Sequence, residues 1–216
     1  MNTEPLPFLQ DDLPSLFNRG VAALRERAED GDEKAQARLA DVEGASGAIR
    51  VVLEGDDGGE LYIGTTNAVM SASEEAPEGL PIRHAIAVSA EAVEAALEEI
   101  EDSDEIDEDK AVRRITRIVS AEAETLLATY KLLFHVILKD VPDLDEVKLR
   151  IALGGDTPPD DPEFTATVSW DDIEDLRAGE LTPQQLFGRL RLAGDASKAM
   201  ALGMTLMQKA QERQRG

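Results

Sequence analysis

The chain of 216 residues contains no cysteine and only two histidines. The absence of cysteine excludes a disulfide-stapled scaffold, a thiol nucleophile and any zinc site built on thiolates. Aromatic residues make up 4% of the chain, and its longest apolar run, near Leu132 to Leu138, is too short to span a bilayer. The first residues, MNTEPLPFLQDDLP, lack the basic start and apolar stretch of a secretory signal, so we expect a cytoplasmic protein.

Basic residues are scarce as well. The chain has 22 Lys and Arg against 45 Asp and Glu, which gives a formal net charge of -23. The imbalance is concentrated in residues 1–109, which hold 28 acidic and 7 basic residues, whereas residues 110–216 hold 17 and 15. A body this acidic repels phosphate, so we expect no nucleic-acid partner. The acidic first half is instead suited to a basic protein partner.

Groupings of side chains typical of catalysis or metal binding are missing from the sequence. His84 and His135 each fall in an expected strand without a partner nearby, and both are interpreted as structural. The carboxylate-rich runs 98–109 and 156–163 lack the spacing of a calcium loop, and no glycine pair has a nucleotide-binding frame. We therefore expect no catalytic residue, no metal and no cofactor, and a protein that is not an enzyme.

Hydrophobic periodicity predicts amphipathic helices and half-buried strands, which are compatible with an α+β fold. Residues 1–14, which contain three prolines, are expected to form an irregular arm. The expected elements are helices Ser15–Ala28 and Asp32–Val42, strands Ile49–Glu54 and Glu60–Thr65 around a turn at 56–59, strand Arg83–Val88, helix Ala90–Ile100, an acidic connector at 101–109, strands Phe134–Lys139, Val147–Leu153 and Phe164–Val168, helix Trp170–Arg177, and strand Leu190–Ala193.

The second half of the chain repeats the order of elements in the first half. At a shift of 80 residues, Val88-Ser89 falls on Val168-Ser169, and in both places the serine can cap an acidic helix start. Two interpretations stay open. Residues 15–118 and 119–216 form a tandem of related units with a degenerate first copy, or two similar supersecondary units lie in one domain.

The last helix, which Asp195 can cap, carries small residues and methionines at helical spacing. These residues are Ala196, Ala199, Met200, Gly203, Met204 and Met207. Small residues leave room beside a helix and methionine adapts to variable partners, as one wall of a lipid cavity requires. The alternative is an ordinary core helix packed on a sheet.

The segment from Phe164 to Met204 resembles the C-terminal half of the sterol carrier protein-2 family. The pattern combines a strand ending in serine, an acidic helix start, a Gly-x-Leu-x-Pro turn, a phenylalanine, a short strand, Gly-Asp and a helix. The matching residues are Val168-Ser169, Asp171, Gly179, Leu181, Pro183, Phe187, Leu190, Leu192, Gly194-Asp195, Ala199 and Leu202. The stretch from Pro183 to Gly188 is slightly shorter than is usual in that family.

The resemblance implies a mixed sheet around an apolar tunnel and non-enzymatic binding or transfer of an apolar lipid, either a sterol, a fatty acyl chain or an isoprenoid. The expected ligand-lining residues in the unit 119–216 are Phe187, Leu190, Leu192, Met200, Met204 and Met207. The expected alternative function is an acidic interaction or scaffold protein that keeps the fold with a filled core.

A basic cluster near the C-terminus predicts at most a weak, transient, salt-sensitive contact with membranes. The cluster consists of Arg189, Arg191, Lys198, Lys209, Arg213 and Arg215.

Overall fold

The structure, a computed structural model, describes residues 3–56, 58–102 and 115–205. It confirms the α+β fold class, because eight strands form one mixed sheet to which helices are added. Within the described residues, none of the helices combines the length and the apolar character needed to cross a membrane.

The N-terminal segment is helical, and the irregular arm expected over residues 1–14 is therefore wrong from Pro5 onward. Pro5–Pro7 form a short helix α1, Phe8–Asp12 form a π-helical turn, and Leu13–Glu29 form helix α2. Both Pro5 and Pro14 stand at the first positions of a helix. Proline is tolerated there because its missing N–H removes no helical hydrogen bond.

The rest of the first half adds a helix, a three-stranded meander, a returning strand and a second helix. These elements are α3 (Glu33–Gly44), β1 (Gly47–Glu54), β2 (Gly59–Thr66), β3 (Val69–Ser73), β4 (Ile82–Ser89) and α4 (Ala90–Asp102). The Asp32 carboxylate caps α3 by accepting hydrogen bonds from the N–H groups of Lys34 and Ala35. The acidic connector expected at 101–109 begins inside α4, and its residues 103–109 lie outside the described part of the chain.

The second half follows the same order with one strand fewer before the crossover. After a 3-10 turn (Thr116–Ile118) come α5 (Ala121–Tyr130), β5 (Leu132–Val141), β6 (Asp145–Leu153), β7 (Phe164–Ser169), α6 (Trp170–Ala178), α7 (Pro183–Arg189) and β8 (Arg191–Gly194). Residues 197–205 then form helix α8. Thr182 and Gln185 begin α7 with a reciprocal capping box, as the Thr-Pro start favours.

The two halves share one continuous sheet with the strand order β3-β2-β1-β4-β6-β5-β7-β8. The junction is the antiparallel pairing of β4 with β6, which runs from His84 opposite Leu153 to Ala87 opposite Arg150. In each half the first strand of a hairpin pairs in parallel with the strand that follows the crossover, β1 with β4 and β5 with β7.

The registers of these two parallel pairs agree. Leu53 lies opposite Val88 in the first half, and Leu138 lies opposite Val168 in the second. The next residue in each case caps a helix: the Ala92 N–H donates to Ser89 Oγ at 3.2 Å, and the Asp172 N–H donates to Ser169 Oγ at 3.3 Å. This agreement is what a duplication predicts. The tandem and its boundaries stay a prediction.

The apolar core contains two main clusters. The larger one packs α2 and α4 against β1 to β3 around Phe17 and Leu61, and it continues into the second half at Val141 and Val147. The second cluster packs α5 and α8 against β5 and β7 around Leu132, Phe164 and Leu202.

Candidate functional site

Side chains on the sheet alternate between a face under the helices and a polar face. The polar face is held by charged pairs, of which Arg50 with Glu60 at 2.7 Å is one. Arg150 there binds Glu54 at 2.5 Å and also contacts Asp160. These pairs tie the strands to the loop that precedes β7.

His135 is one of the two histidines, and its ring lies in this polar layer. Its Nε2 forms a hydrogen bond of 2.9 Å with the carbonyl oxygen of Pro159, and the side chain is buried. The contact holds the loop before β7 against the sheet, which is a structural role.

On the helix face, a cavity of about 180 Å³ lies between the starts of β1 and β4, the end of β2, and helix α5. We call it the β1–β4 cavity. Its apolar wall is formed by Leu13, Ala48, Ile49, Ile63, Met70, Ile118, Val119, Ala123 and Leu127. An apolar protein cavity of about 150 Å³ is large enough to bind benzene, so this volume suffices for part of a hydrocarbon chain.

His84 is a neutral polar group in the wall of the β1–β4 cavity. The side chain is 9% exposed. The backbone N–H of Gly154 donates to its Nδ1 at 3.3 Å, which leaves the ring proton on Nε2. Burial, together with the charge of the adjacent Arg83, lowers the pKa of His84 below its usual 6.5. At neutral pH this wall therefore offers an N–H donor without a charge.

Arg83 is the cation of the β1–β4 cavity, and a local irregularity of the sheet positions it. Ala48 pairs with Ile82 but Ile49 pairs with His84, so Arg83 is an extra residue in a β-bulge. A bulge re-aims the side chain that it carries. The Arg83 side chain also lies close to Gly47, because a Cβ added to Gly47 would stand 2.4 Å from Arg83 Cγ.

The hydrogen-bonding capacity of Arg83 is unfilled. Its Nε is buried and has no hydrogen-bond partner within the described residues. Glu124, the carboxylate in the same wall, accepts a hydrogen bond of 3.3 Å from the N–H of Ser46, and no ion pair joins it to Arg83 in the described part of the chain. The sequence could have singled out Arg83, because it is the only Lys or Arg between Arg50 and Lys110 in a strongly acidic segment.

The corresponding place in the second half is filled by aromatic rings. Ile49 and His84 lie opposite each other in the β1–β4 pair, and Phe134 and Phe164 lie opposite each other in the β5–β7 pair. The two phenylalanine rings stack with centroids 5.0 Å apart and planes 4° from parallel. Phe164 is buried in the cluster beneath α8. The two rings therefore occupy part of the space beneath the last helix, and a ligand cavity beside that helix stays a prediction.

The described members of the sequence-predicted ligand set lie at or near the surface. Four of them expose a large part of their side chains: Phe187, Leu192, Met200 and Met204, with Met204 at 65%. Leu190 is half-buried between α7 and β8, and Met207 lies outside the described residues. None of the five that the structure describes lines the β1–β4 cavity. Their contact with a ligand stays a prediction.

Helix α8 turns a different face to the core than the one expected. Ala196 and Leu202 are buried and Ala199 packs beside them, whereas Met200 and Met204 point outward. The Phe187 ring reaches the same helix, about 3.7 Å from the position of a Cβ on Gly203. The small residues thus bring the helix close to the sheet.

Two other cavities are lined in part by carboxylates. One of about 360 Å³ lies at the start of α4 beside Glu54, Glu91 and Glu94. The other, of about 390 Å³, lies between α4 and α6 with Trp170 and Glu174 in its wall. The described residues contain no group of three or more His, Asp or Glu arranged to hold a metal ion.

The chain matches no protein-family model and no curated protein. Four solved chains are similar to it. One is described as the solution structure of the sterol carrier protein domain 2 of Helicoverpa armigera, with 23% sequence identity and a TM-score of 0.30. The similarity covers 40% of this chain and 75% of that chain.

Proposed function

We propose that the protein binds the apolar chain of a lipid without catalysing a reaction, and that the chain enters the β1–β4 cavity. The observation that supports this is a mostly apolar cavity, built from both halves of the molecule, with a neutral histidine in its wall. The ligand-lining residues proposed from sequence around α8 are the competing location.

The volume sets the size of the ligand. At about 30 Å³ for each atom of liquid-like packing, a cavity of about 180 Å³ holds about six chain atoms. Burial of six methylenes at about 0.8 kcal/mol each gives about 5 kcal/mol. Association costs at least about 4 kcal/mol, so the chain alone binds weakly. A flexible acyl or isoprenoid chain fits this cavity better than the rigid ring system of a sterol.

Calorimetric titration with octan-1-ol tests the proposal, because this probe has a chain and no charge. Ala123→Leu places extra carbon atoms in the cavity wall and is expected to reduce the affinity at least fivefold. Met204→Ser, on the exposed side of α8, is the matched control and is expected to leave the affinity unchanged. A loss of binding in Met204→Ser but not in Ala123→Leu would assign the chain to the residues around α8 instead.

An acidic interaction protein is the second candidate. It is favoured by the aromatic stack in the core of the second half and by the net charge of -23. Native mass spectrometry of the purified protein separates the two functions: a co-purified lipid supports the first, and a bound basic protein supports the second.

Membrane contact through the basic C-terminal end also stays a prediction. Two of its cations are already paired in the described part of the chain, Lys198 with Glu163 and Arg189 with Asp172, both at 2.5 Å. Paired cations attract an anionic surface less than free ones do. We therefore expect vesicle binding to be weak and to disappear at high salt.

A further inference from the structure

Arg83 differs from most other described arginines, because no carboxylate in the described part of the chain pairs with it. Seven others form ion pairs with Asp or Glu: Arg25, Arg27, Arg38, Arg50, Arg150, Arg177 and Arg189. Acidic residues outnumber basic ones by 45 to 22, so the chain has many more carboxylates than cations to pair with them. Its unpaired state therefore marks a place where an anion from outside the chain can bind.

The backbone holds this cation at the cavity. The bulge at Arg83 takes its side chain out of the regular alternation of β4, and the bare Cα of Gly47 makes room for the Arg83 side chain. The next residue, His84, brings its Nε2–H donor into the same wall. Two donors of different charge thus lie beside an apolar space.

The charges in the wall select the kind of anion. Arg83 contributes one positive charge, Glu124 one negative charge, and His84 none. A planar guanidinium matches a carboxylate with two parallel hydrogen bonds. A phosphate monoester would bring almost two negative charges next to Glu124 in a protein of net charge -23, and is disfavoured.

We propose that Arg83 binds the carboxylate of an amphiphile whose chain occupies the β1–β4 cavity, so that the ligand class is a monocarboxylic acid with an apolar chain. This assignment rests on the proposed function. The carboxylate satisfies the open donors of Arg83, and the cavity removes the first part of the chain from water. Glu124 limits the site to a single negative charge.

A matched pair of probes, octanoate and octan-1-ol, separates head-group recognition from chain binding. At pH 7.5 the wild-type protein is expected to bind octanoate about 10- to 100-fold more tightly than octan-1-ol, as hydrogen bonds to a charged group allow. Arg83→Met keeps the length of the side chain and removes the donors. It is expected to bring the two affinities together, mainly by weakening octanoate. Octyl phosphate is expected to bind the wild type more weakly than octanoate.

Two further variants keep the test decisive if Arg83→Met is poorly folded. Gly47→Ala leaves Arg83 in place but forces its side chain to move, and is expected to lower the affinity for octanoate more than the affinity for octan-1-ol. Arg83→Lys keeps the charge without the planar fork, and is expected to fall between wild type and Arg83→Met.

Proton NMR of the two histidines supplies a second measurement in the wild type. A carboxylate beside Arg83 is expected to raise the pKa of His84, whereas octan-1-ol is not. Equal wild-type affinity for octanoate and octan-1-ol overturns the role of Arg83 and leaves chain binding intact. No binding of either probe overturns both proposals.

Discussion

Removal of the Phe164 ring tests whether the Phe134–Phe164 stack occupies the place in the second half that corresponds to the β1–β4 cavity. Phe164 is 5% exposed, stacks on Phe134 and packs in the cluster beneath α8. Phe164→Ala leaves a cavity where the ring was, and such substitutions in a core cost about 3–5 kcal/mol. Domains are stable by only about 5–15 kcal/mol in total, so the variant is expected to be folded but marginal.

Phe187→Ala is the matched control, because it makes the same chemical change close to the same helix. Phe187 is 38% exposed, so its burial is incomplete. Full burial of a phenylalanine side chain is worth about 1.5–3 kcal/mol, and the expected loss for Phe187→Ala is accordingly about 1–2 kcal/mol. Urea unfolding followed by circular dichroism gives both differences, provided that the slope with urea stays constant.

A ligand measurement completes the test. If the stack occupies the place that is open in the first half, Phe164→Ala creates a second apolar cavity, and benzene is expected to stabilise the variant against urea more than the wild type, because the β1–β4 cavity is present in both proteins. An equal loss of stability in Phe164→Ala and Phe187→Ala would refute the reasoning. So would equal stabilisation by benzene of the wild type and a folded Phe164→Ala protein.

Two further predictions concern Asn18 and His84. The Asn18 side chain donates to the carbonyl of Met70 at 3.0 Å and accepts from its N–H at 2.9 Å. Asn18→Leu leaves both of these backbone groups of Met70 without their side-chain partner and is expected to cost about 1–3 kcal/mol by urea unfolding, with Ser71→Ala on the same strand as a mild control. The lowered pKa of His84 means that its stabilising contribution is complete above its unfolded value near 6.5 and is lost as the pH falls through the lower folded value. The urea midpoint is expected to fall between pH 7.5 and pH 5.5, and to fall less in His84→Gln; an equal fall in both proteins would contradict this assignment.

The hairpins and the crossover strands could be predicted from the sequence because their signals are local. The alternation in Ile49–Glu54 and Glu60–Thr65, and the serine caps at Ser89 and Ser169, each depend on a few neighbouring residues. Strand β3 was missed because its turn uses Asn67-Ala68, both at positive φ, in place of the usual Asn-Gly. The helical N-terminus was missed because three prolines in 14 residues indicate irregular structure, although Pro5 and Pro14 stand at first-turn positions where a helix tolerates proline.

The candidate site was harder to predict because it depends on long-range contacts. Arg83 and His84 gain their surroundings from β1, from α5 and from Gly154, which are distant in sequence. The sequence shows that small residues and methionines recur at helical spacing in α8. Which side of the helix faces the sheet depends on the packing of Leu202 in the core. Periodicity shows that a face is apolar but leaves open whether that face meets a ligand, the sheet or solvent.

The shared ladder between β4 and β6 means that the β1–β4 cavity belongs to neither half alone. Ile49 and His84 come from the first half, whereas Ala123, Leu127 and the N–H of Gly154 come from the second. Separation of the halves would remove one wall of the cavity and expose two strand edges to aggregation. If the chain arose by duplication, the cavity is a product of the fusion, and loss of either copy would abolish the cavity rather than halve it.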